Sequence, residues 1–408
     1  MFRSPSVNSR TGPKRRGAVA PPEKPKPNAT AFESVALLLQ GGGALGAYQA
    51  GVYEALLEAE VEPTWIAGIS IGAINSAIIA GNPRETRVAR LREFWELVSQ
   101  PHDGGWGSLW TDMLNGDAAR GWVNQLSAGQ ILAKGVPGFF TPRAPPPFLR
   151  PAGVAGATSW YDTSALKPTL ERLVDFDRIN ARTMRFSVGA VNVRTGNFAY
   201  FDNETEVIRP EHIMASGALP PAFDAVEIDG EFYWDGGLVS NTPLDWVLSS
   251  RSDLDTLIFQ VDLWSAQGGL PRDLSEVAVR MKEVQFSSRT RAATDSFKQI
   301  QRLRAAFNEL LAQMPPDLAA TPQARLLAEA SDPAVYNIVQ LVYRSATYEG
   351  QSKDYEFSRR TMEEHWAAGR RDALLTLVHP EVLTPPSAAH SVQTFDFTTP
   401  SASSPAKD

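Results

Sequence analysis

Three features of this 408-residue sequence predict an α/β fold with a mostly parallel central sheet, helices on both faces and an added C-terminal helical region. Short apolar runs that do not alternate, such as Val35-Ala36-Leu37-Leu38-Leu39 and TLIFQVDL at 256–263, suit strands buried on both faces. The runs at 35–39 and 65–67 each lead through a glycine-rich turn into a helical pattern. Two strands joined through a helix make a βαβ unit and hence a parallel sheet. From about residue 270 the sequence becomes charged and mostly helical.

In chain order, residues 1–33 come first. Up to position 30, Arg3, Arg10, Lys14, Arg15, Arg16, Lys24 and Lys26 face one acidic residue, Glu23. With almost nothing apolar to bury, this stretch predicts a disordered basic tail. It lacks the apolar core of a signal peptide. Such a tail either only solubilises or touches anionic lipid head groups, at about 1 kcal/mol per Lys or Arg.

The first strand–turn–helix unit carries Gly41-Gly42-Gly43-Ala44-Leu45-Gly46, followed by a helix over 47–59. The second carries Gly68-Ile69-Ser70-Ile71-Gly72 between Trp65-Ile66-Ala67 and a small-residue helix through Ala80. A serine in a sharp strand-to-helix turn presents its hydroxyl, and glycines two residues either side remove side chains that would clash there. The helix that follows aims its N-terminal N–H groups at the same spot, which favours developing negative charge. Five-residue patterns recur by chance, so it is the strand–turn–helix setting that gives the motif weight.

The glycine turn admits two uses. It satisfies G-x-G-x-x-G, with Glu60 and Glu62 near the place of an acidic ribose partner. Alternatively its backbone N–H groups form an oxyanion hole beside a serine on the neighbouring strand end. The second use accounts for both turns at once. The first accounts for one.

Further on, RETRVARLREFWELVSQ at 83–99 predicts an amphipathic helix. Residues 100–160, with Trp106, Trp110, Trp122, Trp160 and Phe139-Phe140, lose regularity. They predict a cap or lid with apolar surface for an acyl chain or membrane interface, or a loop packed on its own domain. Strands follow at 184–193 and across the Thr195-Gly196 turn, then a short helix at 213–219 ended by Pro220-Pro221. Residues 228–234 read as a hairpin turning at Asp229-Gly230. Asp235-Gly236-Gly237 then precedes a helix from about Pro243, capped by Asn241 or Thr242. At 298–311, Ile300, Leu303, Phe307 and Leu310 form one apolar stripe in a region suited to docking on the α/β domain or to self-association. From about Pro385 the Ser/Thr/Pro/Ala-rich end predicts a disordered tail.

Composition narrows the function. With 43% hydrophobic residues the chain can bury an ample core. Its net charge of −7 gives no case for nucleic-acid binding. The absence of cysteine rules out disulfides and thiolate metal sites, and a reducing cytoplasm is the default expectation. The most apolar stretch, Trp65 to Gly81, is punctuated by Ser70, Asn75 and Ser76 and reads as core rather than a membrane span. No clustered ligands suggest a metal, and no cofactor is expected.

GGGALG at 41–46, GISIG at 68–72 and Asp235-Gly236-Gly237 within YWDGGLVSNTP resemble the patatin-like phospholipases in order and spacing, across roughly residues 34–264. The resemblance implies a three-layer α/β/α catalytic domain over 34–264, with 100–160 as a cap insertion. It also implies a Ser–Asp dyad acting on lipid or other acyl esters. Ser70 would be the nucleophile, Asp235 its partner, and Gly41, Gly42 and Gly43 the oxyanion-hole loop. Gly46, Gly68, Gly72, Gly236 and Gly237 would support these motifs. Many members carry Asp before the glycines and a basic residue within the loop, where this chain has Gln40 and Leu45. The stretch ATYEGQSKDYEFSRRTMEEHWAAG is similar to a bacterial subgroup with an additional C-terminal region, here 265–384.

The histidines agree with a dyad. An α/β-hydrolase triad runs Ser, Asp, His along the chain. His102 and His212 precede Asp235, whereas His365, His379 and His390 lie in the helical region and tail. Asp235 is then left as the base, with burial raising its pKa. A nucleotide-binding protein and a non-catalytic, membrane-peripheral relative are the alternatives.

Overall fold

The computed structural model describes residues 30–99, 127–250, 254–287, 290–345, 349–350, 352–387 and 391–398. The basic tail up to residue 29, and Trp106, Trp110 and Trp122, lie outside the described residues. Eleven described strands follow in order. They are β1 (Ser34–Leu39), β2 (Trp65–Gly68), β3 (Thr141–Pro142), β4 (Tyr161–Asp162), β5 (Arg185–Asn192) and β6 (Phe198–Asp202). After them come β7 (Val226–Ile228), β8 (Glu231–Asp235), β9 (Thr256–Asp262), β10 (Tyr336–Val342) and β11 (Val392–Phe395). The helices used below are α1 (Ala47–Glu58), α2 (Ile71–Ala80), α3 (Arg87–Val98), α4 (Pro210–Ser216), α5 (Leu274–Phe286), α6 (Thr290–Ala312) and α7 (Arg359–Leu377).

The main sheet has the order β11-β10-β9-β1-β2-β5-β8-β7, with β6 also paired to β5, and β3 and β4 form a separate ribbon. From β11 across to β5 every pairing is parallel, and β6, β7 and β8 join antiparallel. Both faces are covered. Val35, Leu37 and Leu39 pack into the larger core with the residues of α1 and α2, whereas Ala36 and Leu38 point into a second core with Leu244, Val247 and Phe297. This double burial is why β1 is apolar at nearly every position instead of alternating.

Connections leave β1 for β2 on one side, while β9 continues to β10 on the other. Such a reversal of direction opens a crevice at the carboxyl ends of the two strands. The loops after β1, β2 and β9 all emerge there.

The C-terminal half departs from expectation at three places. Within the region expected to be mostly helical, YNIVQLV forms β10, in register with β9 from Thr256↔Tyr336 to Asp262↔Val342. Its residues alternate between the two cores, Ile338 in one and Val339 and Leu341 in the other. Within the tail expected to be disordered, Val392–Phe395 adds β11 at the sheet edge. On α6, Ile300, Leu303 and Leu310 are exposed, and the packed positions include Thr294, Phe297 and Gln301. Gln301 Nε2 donates to Ala334 O at 3.1 Å, so a polar residue occupies the inward face and hides the true periodicity.

α7 packs against α1 with backbone almost touching backbone. A Cβ on Gly51 would stand 1.9 Å from Trp366 O, and one on Gly369 would stand 1.9 Å from Tyr48 O. Trp366 Nε1 donates to Glu54 Oε2 at 2.6 Å, Arg370 pairs with Glu58 at 2.8 Å, and Tyr48 OH donates to Asp372 Oδ2 at 3.1 Å. The C-terminal region is thus fastened to the helix that follows the glycine loop.

Candidate active site

Ser70 occupies the turn between β2 and α2 with φ 56° and ψ −122°. A non-glycine residue at positive φ is strained, and such strain persists where the surroundings enforce it. Here the Ser70 N–H donates to Ser216 Oγ at 2.9 Å, and Ser216 Oγ donates to Gly189 O at 2.6 Å. The flanking glycines are a steric requirement: a Cβ on Gly68 would lie 2.3 Å from Gly72 O, and one on Gly72 would lie 2.2 Å from Leu39 O. Gly46 packs beside Ile71 and Trp95, and Gly236 against Gly189 O.

Asp235 ends β8 and is buried at 3% exposure. Its Oδ1 accepts from Gly237 N at 2.7 Å. Burial pushes its carboxyl up to about 7, opposed by hydrogen bonds from the Ser70 hydroxyl and the Gly237 N–H. A carboxylate so placed is a far better proton acceptor at neutral pH than an exposed one.

The glycine loop faces the same point. Gly41 N–H donates to Asn241 O at 3.3 Å, and Ala44 N–H to Asp354 O at 2.8 Å. Among the described residues the Gly42 and Gly43 amides have no protein acceptor. Gly43 sits at φ +55°, where a Cβ would lie 2.0 Å from Asp354 O. Gly41 O accepts from Asn241 Nδ2 and Trp264 Nε1, both at 3.0 Å.

These groups open on one cavity of about 240 Å³, lined by Ser70, Asp235, Gly41, Gly42, Gly43 and Gly237 on the polar side. Its apolar walls come from Phe139, Phe140, Tyr161 and Phe223 of the middle segments and from Phe286, Tyr355 and Phe357 of the C-terminal half. Phe139 and Phe140 approach Phe223 at ring-centroid distances of 5.9 and 5.3 Å. The C-terminal wall was not foreseen from the sequence. The similarity running through 346–369 covers Tyr355 and Phe357 but not Phe286.

Two candidate assignments take other positions. The helix at Leu244–Ser249 starts from Pro243, and neither Asn241 nor Thr242 caps it. Asn241 instead holds the glycine loop, and Thr242 Oγ1 bonds to Asp262 at 3.3 Å. As for a ribose partner, Glu60 is exposed and Glu62 pairs with Arg87 at 2.8 Å. Neither lines the cavity.

The described histidines stand apart from the cavity. His212 Nδ1 accepts from Arg209 N–H at 2.9 Å, and burial lowers its pKa. His365 is buried 3.6 Å from Glu349, and His379 stacks on Phe397. His102 and His390 lie outside the described residues. Among the described residues no group of three His, Asp or Glu could hold a metal ion, and no helix is long and apolar enough to cross a membrane.

A family model described as Patatin-like phospholipase matches residues 37–248, more than half of the chain, and thus includes both turns and Asp235. The chain belongs to the patatin-like phospholipase family. A second model, described as Patatin phospholipase, matches residues 284–389, which contain β10, α7 and most of the C-terminal cavity wall. It is accordingly an enzyme of the ester-hydrolase class, acting on lipids. Among solved structures, the chain is similar to VipD from Legionella pneumophila, at 14% identity and a TM-score of 0.35, over 90% of this chain and 71% of that one. It is also similar to the ExoU–SpcU complex of the Pseudomonas aeruginosa type III secretion system, at 16% identity and a TM-score of 0.27, over 80% and 77% of the two chains. No curated protein matches the chain in sequence.

Proposed function

We propose that this patatin-like phospholipase hydrolyses carboxylic acyl esters of lipids through a Ser70–Asp235 dyad, with the glycine loop 41–43 as oxyanion hole. The observation that carries this is the meeting of a strained, glycine-flanked serine with a buried carboxyl whose pKa is raised to about 7. Ser70 Oγ attacks the ester carbonyl carbon as its proton passes to the Asp235 carboxylate. The oxyanion receives the free N–H groups of Gly42 and Gly43, since the Gly41 amide is engaged by Asn241 O. Collapse breaks the bond to the alcohol, which leaves with the proton from Asp235. Water then attacks the acyl-Ser70 ester, again giving its proton to Asp235, and the fatty acid departs as Ser70 is regenerated.

The apolar cavity suits the acyl chain. Peripheral contact with a membrane belongs to the same proposal, because Phe148, Leu149 and Trp160 are exposed on the segment that also supplies Phe139 and Phe140. Labelling with a fluorophosphonate tests the nucleophile. Wild-type protein should label and Ser70→Ala should not, with ester hydrolysis lost in parallel. A folded Ser70→Ala protein that keeps most of its activity would falsify the assignment.

A further inference from the structure

Gln40, directly after β1, is wholly buried and uses all of its amide. Its Oε1 accepts from Leu263 N–H at 2.6 Å and Trp264 N–H at 3.0 Å. Its Nε2 donates to Thr242 Oγ1 at 3.0 Å and Phe286 O at 3.2 Å. Phe286 O also accepts from Asn241 Nδ2 at 2.8 Å. One side chain thereby joins the glycine loop, the end of β9 and the last residue of α5. Only a carboxamide fits both sets of partners: a carboxylate cannot donate to the Phe286 carbonyl, and an apolar side chain leaves the Leu263 and Trp264 N–H groups unmatched.

The other end of the loop is held from the C-terminal half as well, through Ala44 N–H and Asp354 O. Asp354 is tied to α5 by Lys282, whose Nζ lies 2.8 and 2.9 Å from the two carboxylate oxygens. Its neighbour Lys353, a buried side chain, is tied to the partly buried Glu283 of α5 at 2.8 Å. Gly42 and Gly43, the two glycines with free amides, therefore stand between two anchors that both lead to α5.

We propose that Gln40 is a positioning residue for the oxyanion loop, and that the Lys282–Asp354 pair carries α5 into the same task. The C-terminal region then sets the direction of the loop amides as well as walling the acyl cavity. This rests on the hydrolase function proposed above. An oxyanion hole acts on the transition state more than on bound substrate, so its misalignment lowers kcat and leaves KM nearly unchanged.

The test uses the full chain, a short-chain p-nitrophenyl ester and the rate of fluorophosphonate labelling. Gln40→Glu keeps the shape and should lower kcat and labelling at least about 10-fold, with KM within about 2-fold. Lys282→Met, at a half-exposed site that folding should tolerate, should lower kcat by roughly 3- to 10-fold, and Lys282→Arg should restore it. Folded Gln40→Glu with wild-type kcat overturns the proposal, as does a loss confined to KM. If Gln40→Glu does not fold, Lys282→Met decides, and an unchanged kcat there overturns it. Wild-type protein that neither labels nor turns over ester overturns the hydrolase function and the positioning role with it. Active wild type beside equally active variants overturns the positioning role alone.

Discussion

Asp235 lies directly across the sheet from Ala190, and this pairing sets the height at which its carboxyl meets Ser70. β5 pairs with β2 only as far as Val188↔Gly68, so Ala190 stands beyond the end of β2, level with the Ser70 turn. β8 runs antiparallel to β5 and descends from Tyr233 opposite Asn192 to Asp235 opposite Ala190. An antiparallel strand thus delivers a residue to the carboxyl edge of a mostly parallel sheet.

Replacing Asp235 with Asn keeps size and polarity but removes the proton acceptor. Steady-state ester hydrolysis should fall by roughly 10²- to 10⁴-fold, the usual worth of a general base. The Asn protein should remain folded by circular dichroism. A loss of less than about 10-fold would assign the proton to another group.

The raised carboxyl predicts a pH profile. Asp235 must be ionised to act as base, so kcat/KM should rise with pH through about 7 and level off above it. Stability runs the other way. The folded state favours the protonated form, so this group's contribution is full below its unfolded value near 3.8 and is lost as pH rises through about 7. Asp235→Asn removes that dependence, and its stability relative to wild type should improve by roughly 3 kcal/mol between pH 5 and pH 8. Urea unfolding at the two pH values measures it.

Histidine replacement separates a dyad from a triad. His212→Gln, His365→Gln and His379→Gln should each leave kcat of the folded protein within a few-fold of wild type. The two buried residues should cost stability instead, since both lose packed surroundings. One histidine as damaging to kcat as Asp235→Asn would sink the dyad.

Chain-length preference should follow the aromatic wall. Phe223 contacts Phe139, Phe140 and Tyr161 where they line the cavity. Phe223→Ala should move the optimum in a series of p-nitrophenyl esters toward longer acyl chains. An unchanged optimum would place the acyl chain elsewhere.

What the sequence made legible was local. The runs before Gly41 and Gly68 declare buried strands, and GISIG lies within the single turn it describes. Asp235 could be placed at a strand end because a hairpin with an Asp-Gly turn precedes it, whereas its partnership with Ser70 followed from the family resemblance of the motifs upstream. Gln40 and Asn241 were not legible as loop anchors, because their partners lie up to 246 residues away along the chain. β11 escaped notice for the same reason: four half-buried residues gain their order only from β10. Tyr336–Val342 did carry a strand signal, a short β-branched apolar run, which the surrounding helical sequence obscured.

The close contact of α1 with α7 bears on how the protein is made. Tyr48 and Asp372 are hydrogen-bonded partners 324 residues apart. At a synthesis rate of about 5–20 residues per second, roughly 15 to 65 s separate their emergence from the ribosome. During that interval the surface of α1 that receives α7 has no mate, and β9 lacks β10 along its outer edge. An unmated helix face and an unpaired strand edge are the kind of surface that chaperones shield until translation nears its end.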